Sequence, residues 1–570
     1  MKYILLLLFW FTIFSTATLN SNVYAIADPL SVPNNKFGIH IIQATPDESS
    51  PAAQLVNSSG GDWGYVTVLI ESEDRNQNKW QEFFNDLRRR HLIPIVRLAT
   101  QPEGNFWKRP YEGEEQAWAD FLDNLNWPTK NRYVVIYNEP NHSQEWGNSV
   151  DPKLYTETLD KTITELKNKN GDFFVLNAGL DASTPHQPPD YFDAYIFLQQ
   201  MARAVPGIFD KLDGWVSHSY PNPGFVGSPN AQGRGTIRTW QWELQILKEL
   251  GLTKKLPVFI TETGWKHAEG LTYDPALPTA DTISDYFKTA FTSAWNNNQI
   301  AAVTPFLLDY QEIPFDHFAF KKINREKQAN YYPFYQTIVE LNKTKGKPIQ
   351  GNKAQLVKGE IYSSLVAGET YNISLVFKNT GQSIWNDGEQ LKLVPVQGDQ
   401  QLRMQTVELP AGVKIEPGQE YTFNFRVKTP EQGNFKVILN LFSGARQFDS
   451  DPLEFSGKVK SPVILLIKSS LKWKKDLAGD YILKISGPVG ESFRSIVLKN
   501  GGVSDEIEAR NILPDYPFEF TLTHPYYYPA TIKQTVSTGL NVLDFGTLQP
   551  DFISAILNPK EFLKLLPFSN

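Results

Sequence analysis

Up to about residue 345, short apolar runs alternate with longer amphipathic stretches, and this alternation is the most restrictive feature of the sequence. Each gap between two runs has room for one helix and its loops. Nearly continuous apolar strands that alternate with helices predict a parallel sheet covered by helices. Eight such runs favour an α/β fold of the (β/α)8, or TIM barrel, type over an open doubly wound sheet. The eight predicted strands are Phe37–Ile42, Tyr65–Glu71, Leu92–Ala99, Tyr133–Asn138, Phe173–Ala178, Gly214–Tyr220, Pro257–Glu262 and Ala302–Leu308.

The pattern changes beyond residue 345, where the apolar residues recur with a period of about two. Tyr371–Phe377 and Tyr421–Val427 show this alternation, and turn signals such as Pro417-Gly418 recur between such segments. Short alternating strands separated by turns predict β-sandwiches. The predicted domains are a barrel over 28–345, a linker over 346–354, an immunoglobulin-like sandwich over 355–459, a second small sandwich over 461–548 and a tail over 549–570.

The first 27 residues have the pattern of an export signal. Lys2 is followed by an apolar stretch of eleven residues at 4–14, and Ala25-Ile26-Ala27 fits a cleavage site with small residues. A bilayer span needs about 20 apolar residues, so an uncleaved membrane anchor is the less favoured alternative. A secreted or cell-surface protein is therefore expected.

Composition excludes several classes of function. With 55 Lys and Arg against 62 Asp and Glu, the chain has no basic surplus to neutralise phosphates, so no nucleic-acid partner is expected. There is no cysteine, which removes disulfides, thiolate metal sites and a cysteine nucleophile. No metal-ligand spacing stands out, and neither a metal nor another cofactor is expected. Seven of the eight histidines precede residue 345, which directs the search for chemistry to the barrel.

Polar residues follow the apolar runs at the positions where a barrel carries its active site, the carboxyl ends of the strands. Those residues are Arg97 in the third run, Asn138 and Glu139 after the fourth, His218 and Tyr220 after the sixth, and Glu262 after the seventh. The fourth and seventh strands lie nearly opposite each other across a barrel mouth. Two carboxylates there, with a histidine, a tyrosine and an arginine between them, are what cleavage of a glycosidic bond requires.

In this arrangement residues 30–345 resemble the glycoside hydrolase clan of (β/α)8 barrels that carries its catalytic glutamates after strands four and seven (clan A). The matching motifs are Asn138-Glu139, His218-Ser219-Tyr220, and Glu262 within Thr-Glu-Thr-Gly. Within this clan, the sequence is similar to exported members related to β-xylosidases and exopolysaccharide endoglycosidases. It departs from the clan at the eighth strand, where a tryptophan is common and this chain offers Tyr310.

The resemblance implies a role for each of these residues. Glu139 would be the general acid and then the base, and Glu262 would be the nucleophile, which has to stay ionised. Tyr220 and Arg97 are the candidate hydrogen-bond donors to Glu262. A retaining double displacement with this pair is the expected reaction.

Other residues are expected to contact the sugar. The resemblance implies that Asn138 holds the sugar 2-hydroxyl and that His218 orients an acid or a hydroxyl. Trp265, three residues past Glu262, is the preferred aromatic for stacking on a sugar ring. His40 and Tyr310, at the ends of the first and eighth strands, complete the predicted substrate contacts.

The expected function is that of an exported, monomeric retaining glycoside hydrolase acting on a polysaccharide or oligosaccharide. Two alternatives stay open at this point. A transglycosylase would use the same two glutamates with a sugar hydroxyl in place of water, and a non-catalytic surface protein would only bind carbohydrate. The sandwiches are expected to act as spacers, with carbohydrate or cell-wall binding as the alternative.

Overall fold

The computed structural model describes residues 26–323, 330–386, 388, 390–510 and 512–563. The predicted signal peptide lies outside the described residues except for Ile26 and Ala27. The chain divides between Ile349 and Gln350 into two compact units, which are described separately. Within the described ranges, no helix is both long and apolar enough to cross a membrane.

The first unit contains eight parallel strands. Strands β1 to β5 pair in order in one sheet, and β6 to β8 pair in order in another. The bridges Leu176–Gly214 and Phe37–Val303 join the two sheets at both edges, so the pairing closes into a ring. The strands are β1 (Gly38–Ile41), β2 (Gly64–Glu71), β3 (Leu92–Ala99), β4 (Arg132–Val135), β5 (Phe173–Leu176), β6 (Trp215–His218), β7 (Val258–Glu262) and β8 (Ile300–Val303).

One main helix follows each strand, which confirms the predicted α/β domain. Several helices begin at a capping side chain: Asn76 accepts hydrogen bonds from two backbone N–H groups of the first turn of α2, and Asp151 accepts one in α4. The helices are α1 (Pro46–Val56), α2 (Gln77–Arg89), α3 (Glu114–Asp123), α4 (Pro152–Lys169), α5 (Ala194–Ala204), α6 (Thr239–Glu249), α7 (Ala280–Thr289) and α8 (Pro333–Glu340). Minor elements are a hairpin (Pro102–Glu103 with Phe106–Trp107), a short helix (Ile208–Lys211), 3-10 turns (Ser143–Glu145 and Asp316–Phe318) and a π turn (Ala290–Ala294).

Aromatic rings fill the lower part of the ring's interior. Tyr65, Tyr133, Phe174 and Phe259 are buried and contact one another with ring centroids 4.9–6.4 Å apart. Above them the hydroxyls of the buried Thr67 on β2 and Thr304 just after β8 share a hydrogen bond. The interior is therefore packed, and polar chemistry is confined to the carboxyl ends of the strands.

Both ends of this unit extend beyond the predicted boundaries of 28 and 345. The backbone N–H and C=O of Ala27 bond the side-chain amide of Asn131 at 3.0 and 2.7 Å. The backbone N–H groups of Gly346 and Lys347 donate into the unit at 3.0 and 2.8 Å, and the carbonyl of Ile349 accepts a hydrogen bond at 2.8 Å. The start of the predicted linker therefore belongs to the barrel unit.

The second unit is built of β-strands in four sheets, as the period of two predicts. Two sheets lie within residues 354–460 and two within 463–548, close to the predicted modules. Their buried apolar residues form one continuous cluster, and the hydroxyl of Tyr371 donates to the carbonyl of Ile512 at 3.4 Å. The two modules are therefore not independent of each other.

The strands of the second unit, sheet by sheet, are Ala354–Lys358, Thr370–Asn379 and Glu420–Lys428; Ser364–Val366, Leu391–Gln397, Val407–Glu408, Gly433–Ser443, Arg446–Gln447 and Leu453–Lys460; Val463–Leu471, Ile507–Ala509 and Gly539–Leu548; and Gly479–Gly487, Gly490–Leu498, Pro517–Thr523 and Ala530–Thr535. Short helices occur at Asp399–Leu402, Phe552–Leu557 and Pro559–Leu563.

A fragment of residues 26–349 should fold by itself, because it contains the whole barrel core. A fragment ending at residue 345 should be less stable by about 2–4 kcal/mol, since it loses three backbone hydrogen bonds worth about 1 kcal/mol each. Urea unfolding followed by circular dichroism measures both fragments. Equal unfolding free energies would contradict the assignment of residues 346–349 to this unit.

Candidate active site

The chain leaves regular strand geometry at the end of β4, earlier than the predicted end at Asn138. Tyr137 and Glu139 both have positive φ, +68° and +28°. Left-handed backbone at a residue other than glycine costs about 1–3 kcal/mol and persists where the surroundings enforce it. Here the backbone N–H of Glu139 donates to the carbonyl of Gly179 at 3.1 Å, and the Tyr137 ring is buried against Trp146. The strained turn presents Asn138 and Glu139 to partners on other strands.

A register shift at the end of β6 brings His218 opposite Glu262. Ser217 pairs with Ile260, and the next residue, His218, pairs with Glu262 two positions further on. Such an irregularity re-aims a side chain without ending the sheet. Sequence periodicity alone cannot locate this shift.

The two predicted catalytic glutamates meet at the His218 ring. Nδ1 of His218 lies 2.8 Å from Oε1 of Glu139 and 3.8 Å from Oε2 of Glu262. One oxygen of each carboxylate and this nitrogen all lie within 4.8 Å of one another. The structure therefore brings together three residues predicted from three separate strand ends.

Glu262 is buried but surrounded by donors. Nη1 of Arg97 donates to Oε1 at 2.8 Å, and the hydroxyl of Tyr220 donates to Oε2 at 3.1 Å. Burial alone would raise the pKa of the Glu262 carboxyl, but the charges of His218 and Arg97 and the Tyr220 hydrogen bond hold it below its usual value. The carboxylate is thus kept ionised, and both predicted donors contact it.

The pKa values of the two histidines of the site shift in opposite directions. Burial lowers the pKa of His218, but the carboxylates of Glu262 and Glu139 outweigh this and raise it. Burial lowers the pKa of His40 to about 3, so its ring is neutral. His40 Nδ1 lies 3.9 Å from Oε1 of Glu262, and neither ring nitrogen takes a hydrogen bond from the described residues.

A third carboxylate, Glu145, belongs to the site and was missed by the sequence analysis. Asn138 accepts a hydrogen bond from Nη1 of Arg97 at its Oδ1 (2.5 Å) and donates one from Nδ2 to Oε2 of Glu145 (3.2 Å). Burial and the charge of Glu139 raise the pKa of Glu145 to about 7. The only available signal was an acidic residue in the loop after the fourth strand, which does not distinguish it from a solvated loop residue.

The prediction that Trp265 stacks on a sugar is wrong. Its side chain is 2% exposed and packs against Tyr286, Phe287 and Trp295, and its indole N–H donates to the carbonyl of Gly227 at 2.8 Å. Gly264, with φ +135°, precedes it where the chain enters the core. Trp265 therefore stabilises the barrel behind the site.

Other aromatic rings occupy the floor at the end of β8. Phe306 lies edge-on to His40 at 5.1 Å and also contacts Phe318. Tyr310 is partly exposed and, like Tyr220, packs against this apolar cluster. Phe306 and Phe318 were not singled out from the sequence, because phenylalanine at the end of an apolar run resembles ordinary core.

The loops at the mouth carry the exposed apolar surface of the barrel unit. In the parts of this unit that the structure describes, all exposed large hydrophobic side chains follow the carboxyl ends of strands: Ile42, Tyr111, Leu271, Tyr273, Ile313 and Phe315. Trp107 is partly exposed and lines a small cavity with Arg97, Asn138 and Glu145. These exposed apolar side chains therefore follow the same strand ends that carry the two glutamates.

The residues Glu139, His218 and Glu262 are also the one group of the described ranges with the spacing to hold a metal ion. Their ligand atoms come from three different strands, so sequence spacing could not indicate them. The same atoms make the hydrogen bonds and ion pairs described above.

No protein family and no curated protein matches the chain. Among solved structures it is similar to a family 39 glycoside hydrolase from Bacteroides cellulosilyticus WH2, with 14% identity, a TM-score of 0.38, and coverage of 70% of this chain and 82% of that one. It is similar to a family 51 α-L-arabinofuranosidase from Bifidobacterium longum (12% identity, TM-score 0.37, coverage 72% and 98%). It is also similar to a glucosidase from Croceicoccus marinus (10% identity, TM-score 0.38, coverage 89% and 95%). These likenesses are distant, so function is inferred from the geometry of the site.

Gly179→Ala should displace the His218 ring, because a Cβ at residue 179 would lie 2.2–2.7 Å from three ring atoms. The displaced ring would lose its contact with Glu139, and its pKa should fall. NMR titration of the imidazole measures this change. Gly501→Ala, where a Cβ meets open space, is the matched control. An unchanged His218 titration in the Gly179 variant would contradict the close contact.

Proposed function

We propose that the chain is a retaining glycoside hydrolase that cleaves a polysaccharide or oligosaccharide by double displacement. The observation that carries this proposal is the approach of the Glu139 and Glu262 carboxylates to within 4.8 Å, with one of them held ionised. Retaining enzymes hold their carboxyl groups about 5–5.5 Å apart, whereas an inverting pair needs about 6.5–9.5 Å for a water. One oxygen of each carboxylate lies within 4.8 Å of the other, which is nearer to the retaining separation and supports direct attack on the sugar.

In the first step Glu139 gives its proton to the oxygen of the leaving group while Glu262 attacks the anomeric carbon. The bond from that carbon to the leaving oxygen breaks, and a covalent ester with Glu262 forms. His218, hydrogen-bonded to Glu139, orients this acid. Arg97 and Tyr220 hold Glu262 in position before the attack.

In the second step Glu139 accepts a proton from water, and the oxygen of that water displaces Glu262 from the anomeric carbon. The two inversions restore the original configuration. Asn138 lies between Arg97 and Glu145 and is the residue proposed to hold the sugar 2-hydroxyl. The predicted contact of His40 with the sugar is not supported, because its side chain is fully buried, 3.9 Å from the Glu262 carboxylate.

The mouth supports a saccharide as the ligand. Sugar rings have apolar faces that stack on aromatic side chains. Tyr310, Trp107 and the apolar rim provide such surfaces around the polar centre. Trp107 and Tyr310 take the place that the sequence analysis gave to Trp265.

A transglycosylase remains the second candidate, because the same ester could be transferred to a sugar hydroxyl. Product analysis with and without an added acceptor sugar distinguishes the two. Export and a surface or secreted location are likewise proposals, supported by the pattern of residues 1–27. Mass spectrometry of the chain recovered from culture medium tests them.

Glu262 should form a covalent intermediate. A panel of 2-deoxy-2-fluoro glycosides with activated leaving groups should label the protein once, and peptide mass spectrometry should find the sugar on Glu262. Glu262→Ala should take no label and lose measurable turnover, because the variant lacks the attacking carboxylate. Glu312→Ala, which removes an exposed carboxylate of the loop after β8, is the control. Labelling at a different residue would overturn the assignment.

Glu139→Ala should slow hydrolysis of substrates with poor leaving groups by about 10²–10⁴-fold, the usual contribution of general acid–base catalysis. Substrates with good leaving groups need little protonation, so formation of their ester should be largely spared. Azide should then accelerate turnover and give a glycosyl azide of retained configuration. An equal loss of rate for both substrate types, with no effect of azide, would show that Glu139 is not the acid and base.

A further inference from the structure

Glu145 is a carboxylate of the mouth that the two proposed catalytic roles do not use. It ends the 3-10 turn Ser143–Glu145, where its backbone N–H donates to the carbonyl of His142 at 3.1 Å. The next residue, Trp146, is buried and contacts Tyr137 and Tyr155 at 5.8 and 5.4 Å. The backbone that carries Glu145 is therefore fixed against the core, and its side chain has a defined place.

A chain of hydrogen bonds links Glu145 to the proposed nucleophile. Oε2 of Glu145 accepts from Nδ2 of Asn138 (3.2 Å), Oδ1 of Asn138 accepts from Nη1 of Arg97 (2.5 Å), and the same Nη1 donates to Oε1 of Glu262 (2.8 Å). Arginine has donors only, and an ionised carboxylate has acceptors only. The Asn138 amide satisfies both neighbours in one orientation, in which its oxygen faces Arg97.

The other oxygen of Glu145 is free for a ligand. In the described part of the chain, Oε1 takes no hydrogen bond, and Glu145 lines a small cavity beside Asn138. Trp107, Tyr137 and Arg97 also line this cavity. A carboxylate oxygen next to aromatic side chains suits a sugar hydroxyl group that points into the cavity.

We propose that Glu145 is a positioning and specificity residue, which fixes the Asn138 amide and accepts a hydrogen bond from a sugar hydroxyl next to the one that Asn138 holds. The proposal rests on the proposed glycosidase function. Glu145 would then select sugars with two adjacent free hydroxyls, one held by Asn138 and one by Glu145. Sugars in which the second hydroxyl is missing or substituted would bind less well.

The electrostatics of the cavity add a pH dependence to this role. Burial and the charge of Glu139 raise the pKa of Glu145 to about 7, while Arg97 and the Asn138 hydrogen bond oppose the rise and Glu262 adds to it. Glu145 therefore changes charge in the neutral range. Its ionised form accepts two hydrogen bonds, whereas its protonated form gives up one acceptor site. Substrate affinity should accordingly improve as pH rises through about 7.

Two variants separate the parts of the proposal. Glu145→Gln keeps an oxygen for Asn138 but cannot ionise. Its kcat/KM below pH 6 should therefore stay within about threefold of wild type, and its KM should not show the change with pH near 7 that is expected of wild type. Glu145→Ala removes both functions and should lower kcat/KM about 10- to 100-fold, the loss expected for one or two hydrogen bonds to a charged group. Gln144→Ala, at the exposed neighbour on the same turn, is the control.

A deoxy substrate provides the specificity test. A glycoside that lacks the hydroxyl next to the 2-position should be a poor substrate for wild type, and the penalty should shrink at least fivefold in Glu145→Ala, because the lost partners are the same. An undiminished penalty in the variant would overturn the proposed contact with the sugar.

Thermal unfolding provides a readout that does not depend on activity. The pKa of Glu145 is raised in the folded state, so its stabilising contribution is present below the unfolded value of 4.5 and is lost as pH rises through about 7. The Tm of Glu145→Gln relative to wild type should therefore rise between pH 5 and pH 8. A constant difference would contradict the raised pKa.

The outcomes distinguish this proposal from the proposed function. If wild type forms the Glu262 ester while Glu145→Ala and Glu145→Gln match it in kcat/KM and in pH profile, the role of Glu145 is overturned and the glycosidase assignment stands. If wild type neither cleaves a glycoside nor forms the ester, both proposals fail.

Discussion

The site depends on one buried ion pair, the Glu262 carboxylate with Arg97, which Tyr220 and His218 complete. Removing one partner of such a pair leaves an uncompensated buried charge and costs about 3–5 kcal/mol. Burial favours the neutral acid, so the donors have to outweigh it for the nucleophile to stay ionised. Arg97 on β3 and Tyr220 just after β6 donate hydrogen bonds to this carboxylate, and His218 at the end of β6 lies 3.8 Å from it.

Backbone irregularities bring the remaining groups to this ion pair. The positive φ angles at Tyr137 and Glu139 and the register shift at His218 are local departures from ideal strands. Their cost is offset by buried hydrogen bonds and by packing under the mouth. Gly179 completes the arrangement, because only a residue without a Cβ leaves room for the His218 ring. The packed aromatic interior below makes the base of the site rigid.

The convergence of the two glutamates could be predicted from the sequence, for a physical reason. Parallel strands in a ring bring all their carboxyl ends together, so polar residues that end apolar runs converge, as Glu139 and Glu262 do. Contacts that depend on backbone turns inside loops could not be predicted. Trp265 follows a glycine that directs it into the core, and Glu145 lies in a loop whose path alone brings it to Asn138. Residues 346–349 were predicted to belong to a linker because the sequence there is polar. Their backbone groups nevertheless form hydrogen bonds with the first unit.

The central claim is that Glu262 attacks the sugar directly. The most direct test is the anomeric configuration of the first product that the full chain releases from a glycoside. Proton NMR measures this configuration before the product mutarotates. Carboxylates within 4.8 Å of each other predict that the product has the same configuration as the substrate. A first product of inverted configuration would contradict the account, even if both glutamates proved essential.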